Sequence, residues 1–347
     1  GDTVFVKAGT YDVSTGGVWS SPAINPPSSG EPGRPITFAS LPRHAAILDT
    51  RFAPNNPAIG SAGRDYIVID GFEIVNLHSK GIAVFGMEAR PVVGVVVQNN
   101  IIHAVRQTLA GDNAECIRLE FANGALVRNN LLYDVDNLAS GSENAAGVKM
   151  YFNDGTVIEN NEIHDTVSGI FDKAAGRNNV IRKNYIHDGK VGVYLGSGTG
   201  GPWNDIRHDS ISQNIIERCT QSVGLMAANG TTQADITVFN NVFATYTDGA
   251  FYTRDTVGTN SAWNNLFVRT ARPGRGDVFT FDDPPVLLSV MDYNWYVAEP
   301  PFFTVGVYAT NRQLNSLFEW QAATGWDAHA RTGDAGLVDP GAGDYHL

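Results

Sequence analysis

The sequence predicts an all-β solenoid, a single domain wound into coils of short parallel strands and covered at its C-terminal end by a helix. Two observations lead there. A short phrase, I-x-x-N-x-I in its clearest form, stands at Ile158/Asn161/Ile163 and again at Ile181/Asn184/Ile186. It recurs upstream at Val97/Asn100/Ile102 and Val127/Asn130/Leu132. Downstream it recurs at Ile211/Asn214/Ile216, Val238/Asn241/Phe243 and Ala262/Asn265/Phe267, with Asn294 the last. Successive asparagines from Asn100 to Asn265 are 30, 31, 23, 30, 27 and 24 residues apart, a period that marks repeat architectures. The second observation is alternation. Apolar residues recur at every second position, as in Ile67/Ile69 and Val95/Val97, which fits strands and not helical repeats.

One coil cannot bury its inner face alone. Stacking coils at about 4.8 Å builds parallel sheets around a continuous core. The repeat asparagine is expected at the bend between two strands, where a residue must tolerate left-handed geometry and satisfy backbone groups turned inward. Stacked coil upon coil it forms an amide ladder. Its role is structural.

On these residues the chain resembles the right-handed parallel β-helix (pectate-lyase-like) superfamily over nearly its whole length. GDTVFVKAGTY (Gly1 to Tyr11) looks like that superfamily's first strand, PITFAS (Pro35 to Ser40) its second and DYIVIDGFEI (Asp65 to Ile74) its third. The resemblance implies a polysaccharide lyase-like fold and leaves the reaction open.

Taken in order, residues 12 to 34 are rich in Ser, Gly and Pro and are expected to form an early loop. The coils occupy about residues 1–295, and a cap and tail about residues 296–347. Longer connections at Val105–Glu115, Asp134–Ala146, Gly196–Asp209, Ala227–Asp235 and Arg269–Asp277 should wall a groove. Leu314 to Thr324 has helical spacing at Leu314, Leu317, Phe318 and Ala322, with Gly325 suited to end it. This helix is expected to cover strand edges that would otherwise invite aggregation.

The formal net charge of −12 argues against nucleic acid as a partner, and no apolar run is long enough to span a bilayer. The chain opens inside a strand phrase, so an upstream cap and any export signal are expected to have been removed or left out. Cys116 and Cys219 fall about four coils apart, or about 19 Å, too far for a disulfide. A secreted or periplasmic monomer follows from the resemblance.

One strand of each coil begins with a small residue: Gly81-Ile82-Ala83, Cys116-Ile117-Arg118-Leu119-Glu120, Gly147-Val148-Lys149-Met150-Tyr151, Gly169-Ile170-Phe171-Asp172-Lys173 and Gly192-Val193-Tyr194. With Ile82, Ile117, Val148, Ile170 and Val193 facing in, alternation places Ala83, Arg118, Lys149, Phe171 and Tyr194 in one exposed column. Glu120, Tyr151 and Lys173 form the next. Asp172 nominally points in, so a bulge must turn it out or a cation, Lys173 or Lys149, must pair with it. Solvated strands often carry such charges. Three basic groups on adjacent coils of a chain poor in them nevertheless repel one another, which a protein tolerates where an anion is meant to sit.

That anion is expected to be an acidic polysaccharide of uronic acids. Elimination on it needs the carboxylate neutralised, a base for the proton on the adjacent carbon, and an acid for the leaving oxygen. Arg118 is suited to the first role, Lys149 or Lys173 to the second and Tyr151 to the third. Glu120, Phe171, Asp172, Arg177, Tyr194 and His164 are expected to contact substrate. His164 belongs to a column with His103, Tyr133 and His187, each three residues after a repeat asparagine, whose role is chiefly packing; it is also a secondary acid–base candidate. Asp112, Glu115 and Glu143, in the two long loops, are candidate Ca²⁺ ligands.

The β-helix lyases of the chondroitinase B and alginate-lyase type use a Lys and an Arg on adjacent coils with Ca²⁺. Here Arg118 precedes Lys149 and no Glu-x-Glu pair stands before the lysine, so no residue role is carried over. Two rival classes remain. A glycoside hydrolase would draw on Glu120, Asp172, Asp255 or Asp282, which are spread over many coils. A non-catalytic glycan-binding protein would use Phe171, Tyr194 and Trp203 as stacking platforms.

Overall fold

A computed structural model describes residues 1–14, 22–53, 57–107, 113–137, 144–196, 205–226, 233–254, 259–269, 277–281, 288–297, 303–305 and 312–346. The chain forms two compact units, Gly1–Val180 and Ile181–Leu347. It is a right-handed parallel β-helix with a C-terminal helix, as its repeat predicts.

In the first unit Thr3–Asp12 pairs along Ile36–Asp49. The latter strand starts two columns. One runs through Ile67–Asp70, Val96–Gln98, Leu126–Arg128 and Val157–Glu159. The other runs through Glu73–Leu77, Ile101–Gln107, Leu131–Asn137 and Glu162–Thr166. A separate sheet holds Ile59–Ala62, Lys80–Phe85, Ala114–Glu120, Ala145–Tyr151 and Ser168–Ala174.

Register explains the core. Ile69, Val97, Val127 and Ile158 stack in line, as do Ile74, Ile102, Leu132 and Ile163, and on the third side Ile82, Ile117, Val148 and Ile170. All are fully buried. Each alternating phrase therefore contributes one side chain per strand to a continuous apolar interior.

The amide ladder is present. Asn100 Nδ2 donates to Asn130 Oδ1 at 3.0 Å, and Asn130 Nδ2 to Asn161 Oδ1 at 2.9 Å, while the backbone N–H of each donates to the same oxygen. The backbone geometry corrects the expectation. The left-handed residue is the one before each ladder asparagine: Asn99, Asn129 and Asn160, with φ of 57°, 55° and 54°. That turn aims the next side chain inward, so the ladder asparagine supplies hydrogen bonds and its predecessor supplies the bend.

The second unit repeats the plan. One column holds Ser210–Ser212, Thr237–Phe239, Asn260–Trp263 and Leu288–Asp292. The next holds Tyr185–His187, Ile215–Glu217, Val242–Ala244, Leu266–Val268, Trp295–Val297 and Arg331–Thr332. Its ladder runs from Asn184 through Asn214, Asn241 and Asn265 to Asn294. It ends where Asn294 Nδ2 donates to the buried carboxylate of Asp327 at 2.9 Å.

The capping helix is Leu317–Thr324, shorter than expected at its start because Leu314 closes the strand Arg312–Leu314. The Ser316 side chain accepts from Glu319 N–H, and Gly325 ends the helix in the left-handed conformation. Its buried anchor is Trp320, stacked on Phe279 at 5.4 Å, and not Phe318, which is 78% exposed. Trp320 Nε1 donates to Asp327 Oδ2, so cap and ladder meet at one carboxylate. The tail is fastened too: Tyr345 donates to the buried Glu217. Both cysteines are free and buried. Among the described residues no helix is long and apolar enough to cross a membrane.

Candidate functional site

In the first unit, the sheet holding Lys80–Phe85, Ala114–Glu120, Ala145–Tyr151 and Ser168–Ala174 gathers the predicted basic groups. Arg118 lies in register with Lys149, and Lys149 with Phe171; Glu120 pairs with Tyr151. The parity reading therefore holds for these columns. It fails at Lys173. The ladder slips between Met150 and Tyr151, so Tyr151 pairs with Ala174 and Lys173 is the extra residue of a bulge.

The second correction is exposure. Lys149 is fully buried, and Phe171 and Tyr151 are buried as well. Arg118, with 14% of its side chain exposed, Glu120 and Lys173 are only partly covered. Coil stacking packs flat rings against long cationic stems, and the column that alternation makes outward is floored over. The Arg118 guanidinium lies 4.5 Å from the Tyr151 ring centre and 5.6 Å from that of Phe85. Lys149 Nζ sits 5.0 Å from the Phe171 ring centre.

Two residues absent from the sequence reading complete the cluster, and a third moves into it. Glu115, expected in a loop, belongs to the strand, and Lys80 is its register partner. Strict alternation would point both inward with Ile117 and Ile82. The small residues at the corner break that count. A Cβ on Gly81 would meet Ile102 Cγ2 at 2.7 Å, and one on Gly147 would meet Ile163 Cγ2 at 2.5 Å. Cys116 correspondingly directs its Sγ to the Ile102 carbonyl. Two successive residues thus face the core, and the one before them turns to the opposite side.

Glu115 is enclosed by three cations. Its Oε1 is 3.7 Å from Arg118 Nη1 and 3.9 Å from Lys149 Nζ, and its Oε2 is 3.9 Å from Lys80 Nζ. None of these is a hydrogen bond, and among the described residues neither carboxylate oxygen accepts one. Arg118 donates to Glu120 Oε2, at 2.7 and 3.2 Å. Asn144 is the other unforeseen member. Its carbonyl and its Oδ1 accept from Lys149 Nζ, and the same Oδ1 accepts from Lys173 Nζ.

Burial pushes Lys149 well below the ordinary lysine range, and the charges of Lys173, Arg118 and Lys80 add to this against the pull of Glu115. Lys173 is lowered by burial and by Arg118, again against Glu115. Burial raises the Tyr151 phenol, with Glu115 and Glu120 adding to it, and Asn113 Nδ2 donates to its oxygen at 3.1 Å. The site therefore joins two amines biased toward the neutral form, a phenol held protonated and an arginine beside solvent.

The remaining expected residues lie elsewhere. Asp172 points into the core, where Asn179 Nδ2 donates to its Oδ2 at 2.9 Å, so burial is met by an amide and the bulge turns Lys173 instead. Arg177 is exposed in the turn bridged to Asp154. His164 stands on another sheet, stacked 4.9 Å from Tyr133, which in turn stacks on His103. Tyr194 belongs to the second unit, buried, with its hydroxyl donating to Met226 Sδ. Asp112, Glu143, Trp203, Asp255 and Asp282 lie outside the described residues. No group of three metal-ligating side chains occurs among the described residues, and Glu115 is ringed by cations where Ca²⁺ would need oxygen ligands.

A family model described as a right-handed β-helix region matches residues 57–243. No curated protein matches the sequence. Among solved structures, an alginate lyase from Paenibacillus sp. str. FPU-7 is 15% identical with a TM-score of 0.56, over 79% of this chain and 92% of that one. The A-module of a mannuronan C-5 epimerase from Azotobacter vinelandii is 12% identical with a TM-score of 0.57, over 96% and 91%. A tailspike protein of E. coli bacteriophage HK620, in complex with a pentasaccharide, is 12% identical with a TM-score of 0.55; it is matched over 76% of this chain and 48% of its own. At these identities the likeness establishes the fold.

Proposed function

Because this chain belongs to the right-handed β-helix family, we propose that its basic cluster is the active site of a polysaccharide lyase acting on a uronic-acid polymer by β-elimination. The observation that carries this reading is the juxtaposition of the partly exposed Arg118 and Lys173 with the largely buried Tyr151 beside them, next to an enclosed Lys149–Glu115 pair. A uronate carboxylate docks on Arg118, whose charge acidifies the neighbouring C5–H. The neutral amine of Lys173 takes that proton, since it is the lysine with solvent access. The electron pair forms the C4–C5 double bond as the C4–O bond breaks, and the Tyr151 hydroxyl protonates the departing oxygen. Lys149 and Glu115 are positioning residues beneath this surface.

Solved neighbours that include an alginate lyase and a mannuronan C-5 epimerase support the substrate class. The carboxylates support hydrolysis less well: Asp172 is in the core, Glu115 is enclosed by cations and Glu120 is held by Arg118. A secreted or periplasmic setting and a monomeric state are part of the proposal. Its test is incubation with alginate, pectate and glycosaminoglycans. Unsaturated, ultraviolet-absorbing ends that vanish in Lys173→Ala are the expected result. New reducing ends without them would mean a hydrolase, and binding without cleavage would mean a glycan-binding protein.

A further inference from the structure

We propose that the second unit carries a separate binding site for an acidic oligosaccharide, in the groove between Tyr293 and Trp295. These two residues flank Asn294, whose side chain turns inward to the amide ladder. Tyr293 occupies the left-handed corner with φ of 58°. At the earlier corners of this unit the residue is Lys183, Gln213, Asn240 or Asn264. A bulky aromatic is the costlier choice there, and the residue is 58% exposed. Strain and exposure together mark a side chain kept for contact.

The surroundings hold that ring in place. Tyr293 stacks on His329 at 4.8 Å and 7°, and His329 is itself fixed by Asp292, through Nδ1–Oδ2 at 2.7 Å and its backbone N–H to Oδ1 at 2.8 Å. Trp295 is anchored by its Nε1, which donates to the Gly333 carbonyl at 3.0 Å. Between the two rings lies a cavity of about 500 Å³, adjoining another of about 350 Å³ that shares Asn264, Tyr293 and Trp295. Cavities of this size suit a small ligand, and two in succession suit a short chain of rings.

Charge selects the ligand. Arg331 lies over Trp295, with its guanidinium carbon 5.6 Å from the ring centre. It is exposed, and among the described residues it has no ion pair or side-chain hydrogen bond. An arginine left without a carboxylate in a chain of net charge −12 is a vacant fork for an anion. Aromatic faces take the C–H face of a pyranose, Arg331 takes its carboxylate and the exposed Asn264 amide is placed for hydroxyls. The site shares only a ligand class with the proposed active site, and none of its residues lies in the first unit.

The experiment is calorimetric titration of the full chain in a Lys173→Ala background with tetragalacturonate, tetramannuronate and maltotetraose. At least one uronate should bind with tryptophan quenching, and Arg331→Gln should weaken it at least tenfold while maltotetraose binding is unchanged. Tyr293→Asn, which restores the residue type of neighbouring corners, should keep or raise the melting temperature yet weaken binding. Uronate binding insensitive to Arg331→Gln and Tyr293→Asn, or confined to a site lost with Arg118→Gln, overturns the inference, as does binding of neither uronate. If no cleavage is found but the Arg331-dependent binding is present, the lyase reading falls and this one stands.

Discussion

Lys149 and Lys173 share one acceptor: both Nζ atoms lie within hydrogen-bond reach of Asn144 Oδ1, at 3.1 and 2.8 Å. One amide oxygen thus places both lysines; burial first, and then the charge of Lys173 among its neighbours, disfavours the protonated form of Lys149. Asn144→Ala should lower kcat by about tenfold, a fraction of the hundredfold or more that positioned proton transfer contributes. KM should change little, because Arg118 is untouched.

Lys173→Ala should reduce kcat by about a hundredfold to ten-thousandfold with the melting temperature nearly kept, since its side chain is partly exposed. Lys149→Ala should lose both activity and stability, because its fully buried side chain leaves a cavity beside Glu115. Thermal melts beside steady-state rates separate the two. Equal stability loss in both variants would contradict the assignment of Lys173 as the accessible base.

The pH profile has a sign that two variants can test. A lysine base works once deprotonated, so kcat/KM should rise with pH through the lowered pKa of Lys173. Glu115 raises that pKa and Arg118 lowers it. The rising limb should therefore move to lower pH in Glu115→Gln and to higher pH in Arg118→Gln.

Lys149 also links stability to pH. Its folded-state pKa lies well below the ordinary 10.5, so the unfolded chain binds the proton more tightly. Its contribution to stability must then rise with pH between those two values. Denaturant titrations from neutral pH to about pH 10 should show the wild type gaining more unfolding free energy than Lys149→Met. A parallel response in the two proteins would mean that Lys149 is charged in the folded state.

Asn130 accepts from Asn100 and donates to both Val97 and Asn161, all within the buried ladder. Asn130→Ala should cost about 2–4 kcal/mol, since it leaves the backbone and side-chain donors of Asn100 facing a void. Urea unfolding measures it, and an effect below about 1 kcal/mol would mean that water replaces the amide.

The sequence by itself determined the winding. Ile69, Val97, Val127 and Ile158 stack because each repeat phrase puts an apolar residue at the same point of its coil, and the asparagine interval fixes which coil follows which. The pairing of Arg118 with Lys149, and of Glu120 with Tyr151, was legible for the same reason: a period of two survives coil to coil. Only the tertiary structure decided the rest. Gly81 and Cys116 press against the core at a corner, which adds an inward residue and brings Lys80 and Glu115 to the other side. A bulge moves Lys173 out of step with Tyr151, and burial turns an apparently exposed lysine into an enclosed one. Alternation is a local rule, whereas corner steric limits, bulges and solvent exclusion depend on residues some 20 to 30 positions away that only folding brings alongside.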